Sequence, residues 1–256
     1  MRTRGSVAAV GTGLLVLALG WYTGQRAFSR EARAAEATPS AALEGATVTG
    51  KVKFVGKAPA NPAIDMSEEP KCEAKYTTTP REPIVEVNKN GTLANVFAQV
   101  TAGLPADAKY PTPTTPVTID QSACLYHPRV FGIMVGQTLA IKNSDGILHN
   151  IKALGKKNRP FNISQPTTMT TNRSFTTMEV MLPFECNVHG WMHAYAAVLP
   201  HPFFSATGAD GSFSIKGLPP GTYTIQAWHE QYGAQTATVT VKAGETKMAD
   251  FTYTAK

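Results

Sequence analysis

Apolar and polar side chains alternate in short runs along most of this chain, and turn residues separate the runs. Residues 48–55, 93–100 and 213–225 show the alternation, and further short runs follow one another between residues 117 and 199. A period of two residues predicts β-strands with one buried face, and their close spacing predicts sandwiches or barrels. Residues 61–83 are rich in proline and lack periodicity, so we expect a loop there. The pattern therefore predicts an all-β protein.

Composition narrows the functional classes. Charged residues make up only 16% of the 256 residues, and the formal net charge is +6. The first forty residues contain five arginines and two glutamates, so they carry +3 of that charge. Beyond them no cluster of lysines and arginines is interleaved with aromatic residues, as nucleic-acid-binding surfaces require. Binding to nucleic acid is not expected.

Residues 1–40 have the features of a targeting segment followed by a linker. A basic start precedes an apolar run from Ser6 to Tyr22, which is typical of a secretory signal or a membrane anchor. The run is about seventeen residues long, at the short edge of what spans a bilayer. Cleaved and anchored forms both remain open. We expect an exported, periplasmic protein that is either free or held at the inner membrane by this segment.

The chain has three cysteines. In an exported protein this number suggests one disulfide and one thiolate with another role. Cys72 and Cys124 both lie in proline-rich, polar surroundings, where a cross-link would restrict long irregular segments. We predict a disulfide between these two residues. Cys186 is left over.

Residues 186–193 form the most informative stretch, because a thiolate, an imidazole and a thioether follow one another at intervals of three. Cys186, His189 and Met192 can converge on one ion from a tight loop. Two histidines and a cysteine with a weak axial methionine are the donors of electron-transfer copper. His149 is the expected second histidine, since it begins a predicted strand after a turn. Asn150 beside it is placed to hydrogen-bond the thiolate and tune the metal.

Other interpretations of these residues fit less well. His193 is the main rival to Met192, although adjacent residues of a strand point to opposite faces and only one can face the metal. Structural zinc normally takes four Cys or His ligands in paired short spacings. A catalytic metal needs a positioned acid or base, and Glu185 is expected to point away from Cys186. We predict one mononuclear copper ion and no enzyme activity.

The stretch from Val135 to Asp145, followed by His149-Asn150 and the Cys-x2-His-x2-Met loop, resembles cupredoxins, with ligand spacing most like amicyanin. The resemblance covers about a third of the chain and implies a Greek-key β-sandwich with type 1 copper in residues 116–200. Gly190 stands where amicyanin-like loops often have proline, which implies a looser loop and a shifted redox potential. The insertion between Ala153 and Ser174 is expected to cover or extend the metal-bearing end.

Residues 207–225 resemble carboxypeptidase regulatory-like, transthyretin-like β-sandwich modules, which places a second, smaller module at residues 203–254. About fifty residues are few for an independent sandwich. The N-terminal β segment, residues 45–105, opens like the first strand of such a module. We therefore hypothesise that it completes this sandwich and that the copper domain is inserted. Val52 and Phe54 would then pack beside Phe213 or Tyr223.

These expectations favour a copper-binding electron-transfer protein of the cell envelope that cycles between Cu(I) and Cu(II). Its partner would be another redox protein, which the sequence does not identify. Copper storage or delivery in the periplasm is the alternative from another class. A structural surface β protein is a third.

Overall fold

The computed structural model describes residues 45–255, and within this range it contains seventeen strands and one four-residue helix, α1 (Pro70–Glu73). The predicted all-β class is confirmed. The strands of the first half are β1 (Ala46–Val55), β2 (Phe97–Ala102), β3 (Val117–Ser122), β4 (Leu125–His127), β5 (Val130–Met134), β6 (Leu139–Asn143), β7 (His149–Ala153) and β8 (Phe161–Gln165). Those of the second half are β9 (Met169–Arg173), β10 (Glu179–Glu185), β11 (His193–Leu199), β12 (Phe204–Ala206), β13 (Ser212–Leu218), β14 (Gly221–His229), β15 (Gly233–Val241), β16 (Thr246–Met248) and β17 (Phe251–Thr254).

The central sandwich consists of strands β3 to β11. One sheet has the order β5-β11-β10-β7-β8, and the other has the order β4-β3-β6-β9. Alternating apolar side chains from both sheets fill the space between them, as the period of two predicted. Ile119, Ile141, Ile151, Phe184 and Val198 are fully buried in this core, and Cys186 and Met192 belong to the same cluster.

The flanking sandwich combines strands from both ends of the described chain. One sheet has the order β13-β1-β16, with β17 also paired to β1, and the other has the order β12-β2-β14-β15. Strand β1 runs antiparallel to β13 and parallel to β16 and β17. Val52 and Phe54 share one buried cluster with Phe213 and Tyr223. This is the packing that the inserted arrangement requires, while the exact domain boundaries stay predictions.

A smaller apolar cluster joins the two sandwiches. Phe97 of β2 packs with Val130, Ala197 and Leu199 of the central sandwich. Phe204 of β12 packs against the same cluster and lies close to Gly132. A Cβ atom at position 132 would lie 2.3 Å from the Phe204 ring, so glycine permits this approach. The Trp228 ring lies 5.4 Å from that of Tyr195, so Trp228 contributes to this junction.

The insertion between Ala153 and Ser174 extends both sheets of the central sandwich. Strand β8 pairs antiparallel with β7, and β9 pairs antiparallel with β6. Its apolar periodicity is weak because both strands lie at sheet edges and most of their side chains are at least partly exposed. The sequence pattern therefore did not predict these two strands.

Residues 61–83 form a segment that we call the cap. Apart from α1 it is irregular, as its prolines predicted, and its ends are held together by an antiparallel bridge between Ala63 and Arg81. Ile64, Met66 and Cys72 of the cap form an apolar cluster with Cys124. The predicted disulfide between Cys72 and Cys124 is present, and it ties the cap to the turn between β3 and β4.

The targeting segment and linker predicted for residues 1–40 lie outside the described residues. Between residues 45 and 255, no helix has the length and apolar character needed to cross a bilayer.

His229 at the end of β14 predicts a pH dependence of stability. Burial, followed by the charge of Arg129, lowers the pKa of His229 from 6.5 to about 4. The folded protein therefore keeps this ring neutral at pH values where the unfolded chain binds a proton. We expect the free energy of unfolding to fall by about 3 kcal/mol from this residue as the pH drops from 6.5 to 4.

The variant His229→Phe keeps an aromatic ring against Tyr232 and Tyr253. Urea denaturation at several pH values should show a shallower acid-side loss of stability in this variant than in the wild type. Equal slopes for the two proteins would contradict the prediction.

Candidate metal centre

Two strands and one loop of the central sandwich bring the predicted donors together. Strand β10 pairs antiparallel with β7, with Phe184 opposite Ala153 and Glu185 opposite Lys152. This register places the loop that follows β10 beside the first residues of β7. Cys186 begins the loop, and His149 begins β7. The end of the sandwich where these segments meet therefore carries the site.

The donor atoms of His149, Cys186 and His189 lie close together. Their candidate ligand atoms are all within 4.8 Å of one another, and the Nδ1 atoms of the two histidines are 2.9 Å apart. Cys186 Sγ lies 3.8 Å from His189 Nδ1. Thus His149 and a loop 37 to 40 positions later in the sequence present one thiol and two imidazole nitrogens to a common point.

Met192 lies at the end of the same loop. Its side chain is fully buried in the cluster that contains Cys186, and its backbone N–H donates to His189 O at 3.0 Å. His193 follows at the start of β11, is only partly buried, and belongs to no group of possible metal ligands within the described range. The alternation therefore places Met192 inside, on the side of the donors.

Burial keeps water away from this cluster. His149 is 0% exposed, His189 is 1% exposed and Cys186 is 5% exposed. Buried polar groups are expensive unless they are paired or bind a metal. Three convergent metal-binding side chains with almost no solvent contact are consistent with a closed coordination site.

The surroundings favour the thiolate form of Cys186. Burial raises the pKa of this thiol, but hydrogen bonds with His149 and His189 outweigh it and lower the pKa to about 5. The backbone N–H of His189 also donates to Cys186 Sγ at 3.4 Å. Because a thiolate is the form that binds metal, this residue is prepared for coordination at neutral pH.

Asn150 has the predicted position beside the thiol. Its Oδ1 atom lies 3.3 Å from Cys186 Sγ and accepts a hydrogen bond of 2.6 Å from the backbone N–H of Asn187. Its Nδ2 group donates to Asn162 Oδ1 at 2.5 Å. Asn150 therefore ties β7 to both the ligand loop and β8.

Replacing Asn150 by alanine should loosen this tie. The part-buried hydrogen bond from the backbone N–H of Asn187 would be lost, so we expect a loss of about 0.5–1.5 kcal/mol in the free energy of unfolding. Urea denaturation of the copper-free protein measures this without any contribution from the metal. Asn162→Ala, which removes only the outer partner, is the matched control and should cost less. A larger loss in the control would contradict this role for Asn150.

Asp145 supports His149 from behind, and sequence reasoning gave it no role. Its Oδ2 atom is 2.9 Å from His149 Nε2, and its Oδ1 atom is 2.8 Å from Lys75 Nζ. The backbone N–H groups of Ala123 and Cys124 donate to the same carboxylate at 2.8 Å each. Burial raises the pKa of Asp145, but these bonds outweigh it, so the pKa lies well below its usual range.

A carboxylate on Nε2 fixes the His149 ring so that Nδ1 faces the other donors. The only sequence signal was the spacing, since Asp145 precedes His149 by four residues in a tight turn. The donor set fits a soft metal ion, because it offers one thiolate, two oriented imidazoles and a buried thioether. His149, Cys186 and His189 would hold the ion, with Met192 beside them.

A comparison with protein-family models identifies the C-terminal module. Residues 201–254 match the carboxypeptidase regulatory-like domain family, which corresponds to the predicted module at 203–254. A search of curated proteins found no match.

Solved structures similar to this chain include several cupredoxins. A purple cupredoxin from Nitrosopumilus maritimus is 24% identical over 32% of this chain and 97% of its own length, with a TM-score of 0.28. An oxidised amicyanin mutant is 16% identical over 40% of this chain and 97% of its own, with a TM-score of 0.30. A copper-containing nitrite reductase from Thermus scotoductus SA-01 is 21% identical over 38% of this chain, with a TM-score of 0.31. The match spans only 25% of that reductase. Cupredoxin-like neighbours and a carboxypeptidase regulatory-like module are thus both found for this chain.

Proposed function

We propose that this protein is a type 1 copper protein that transfers single electrons in the cell envelope and has no substrate of its own. The observation that supports this most directly is the convergence of His149, Cys186 and His189 at one buried point, with Met192 beside it. Bound copper would supply the Cu(I)/Cu(II) couple, and these four residues would hold it.

The chain's own residues suit repeated one-electron transfer. Asp145 fixes one imidazole, the backbone N–H of His189 contacts the thiolate, and Asn150 ties the ligand loop to β7. Donors that are held by such bonds change their geometry little between the two oxidation states, and hydrogen bonds to sulfur tune the potential. Water is excluded by burial. These features favour electron transfer over hydrolytic or oxidative chemistry, which needs an open position at the metal.

The proposal includes export to the periplasm and a redox partner protein. The disulfide between Cys72 and Cys124 supports an oxidising compartment, because such bonds are rare in the cytosol. The basic and apolar character of the first residues, which the structure does not describe, points the same way.

Reconstitution of the metal-free protein with Cu(II) tests the proposal. We expect one equivalent to bind with intense visible absorption, and stepwise reduction and reoxidation should bleach and restore the colour. The Zn(II)-loaded protein is the control for absorption that is not due to copper. A colourless Cu(I) form that exchanges readily with chelators would instead indicate copper delivery. Failure to bind copper would refute both functions.

A further inference from the structure

We propose that the cap, residues 61–83, is a latched cover that retains the copper and keeps redox partners away from the His189 ring. This inference rests on the proposed function and adds a property of the same site. It depends on what lies against the outer edges of the two imidazoles, which point away from the common donor point.

The cap covers the outer edge of His189 directly. The Nε2 atom of His189 lies 3.6 Å from Cys72 Sγ and 3.7 Å from Glu69 Oε2. Both of these residues belong to the cap, and only 1% of the His189 surface is exposed. The Trp191 ring closes another side, with its centroid 5.2 Å from that of His189 and its Nε1–H donating to Cys124 O at 2.9 Å.

The cap also reaches the outer edge of His149 through one intermediate. His149 Nε2 contacts Asp145, whose other carboxylate oxygen is paired with Lys75 of the cap at 2.8 Å. Lys75 is partly exposed, so it lies between this carboxylate and solvent. Both imidazoles are therefore separated from water by the same segment.

Three attachments latch the cap to the metal-bearing end. The disulfide joins Cys72 to Cys124, the Tyr76 hydroxyl donates to Ala123 O at 2.6 Å, and Lys75 pairs with Asp145. All three converge on the turn between β3 and β4 or on Asp145, which accepts two backbone N–H groups from that turn. Because the ends of the cap are bridged to each other, opening it requires this latch to release.

The latch favours retention of the bound copper. Cys72 and Cys124 are both fully buried, so a thiol reagent reaches them only after the cap has opened. A competing copper ligand that approaches over the imidazoles meets the same obstacle. A protein that delivers copper needs an easy exit, whereas one that carries electrons benefits from a closed site. Partners would then dock on the cap or beside it, without touching the His189 ring.

Chemical modification of His189 in the copper-free protein tests the cover without relying on metal binding. Diethyl pyrocarbonate acylates accessible histidines, and mass spectrometry locates the product. We expect His189 to react at least about tenfold more slowly than the exposed His127, since local opening must precede the reaction. In the double variant Cys72→Ser/Cys124→Ser this protection should largely disappear. Equal reactivity of the two histidines in the wild type would overturn the cover.

Copper transfer tests the retention. The Cu(I)-loaded protein is mixed with an excess of a chromogenic Cu(I) chelator, and the rate of transfer is recorded. The double variant should release copper at least about tenfold faster than the wild type, because a disulfide restricts opening strongly. Thr78→Ala, an exposed change on the cap, is the control and should leave the rate unchanged.

Lys75→Met is a second latch variant that keeps the disulfide. It should accelerate release by about threefold, as expected for loss of one partly exposed ion pair. If the double variant does not fold, as judged by circular dichroism, this variant decides the question. If folded latch variants release copper at the wild-type rate, the proposal that the cap retains copper is wrong. The assignment of the copper site would not be affected. A wild type that binds no copper would instead refute the proposed function, and the acylation result would still decide whether the cap covers His189.

Discussion

Replacing Cys186 by alanine is expected to abolish the visible absorption of the copper-loaded protein. The thiolate is the soft anionic donor of the set, and its pKa of about 5 shows that the site already stabilises the negative charge. We expect copper affinity to fall by more than about 100-fold, because even the outer partners of metal ligands are worth about 10–100-fold. Absorption spectra and competition titrations against a chelator of known affinity measure the two effects.

The neighbouring change Glu185→Gln is the matched control for Cys186→Ala. Glu185 is partly exposed and pairs with Lys152 on the surface of β7. The Glu185→Gln variant should therefore keep both the visible absorption and the copper affinity of the wild type. If colour and tight binding survive the loss of Cys186, the assignment of the site is wrong.

Replacing Phe184 by alanine is expected to cause the largest loss of stability in the central sandwich. Phe184 is fully buried, and the rings of Phe131, Phe161 and Phe175 surround it at centroid distances of 5.9, 6.4 and 6.3 Å. Removing such a ring costs about 3–5 kcal/mol. Because Phe184 lies two residues before Cys186, we also expect the visible absorption of bound copper to change.

Phe213→Ala is the control for this variant, since Phe213 is equally buried but belongs to the flanking sandwich. Urea denaturation should show a similar loss of stability in both variants. Only Phe184→Ala should change the spectrum. A spectrum altered as much by Phe213→Ala would mean that the site depends on both sandwiches together.

The sequence predicted those features that depend on local patterns. Alternation located most strands, and the spacing of Cys186, His189 and Met192 located the ligand loop. These signals work because a strand has a period of two and a short loop limits how far three side chains can diverge. The pairing of Cys72 with Cys124 followed from the number of cysteines and their surroundings.

Features that depend on distant segments could not be predicted in the same way. Nothing in the residues around Glu69 indicates that it lies 3.7 Å from His189 Nε2, more than one hundred positions away. Nothing around Lys75 indicates that it pairs with Asp145. The support from Asp145 was missed because a carboxylate in a turn usually serves the turn itself. Strands β8 and β9 were missed because edge strands bury too little to show a clear period.

The position of β1 constrains how the protein reaches its native state. This strand pairs with β13, and its last residues pair with β17, so partners about two hundred positions apart must meet. During synthesis β1 therefore waits for the last strands before the flanking sandwich can close, while the central sandwich has all of its strands earlier. Contacts of such long range slow folding and leave strand edges open in the meantime. The candidate metal site would then be assembled before the module that encloses it in sequence is complete.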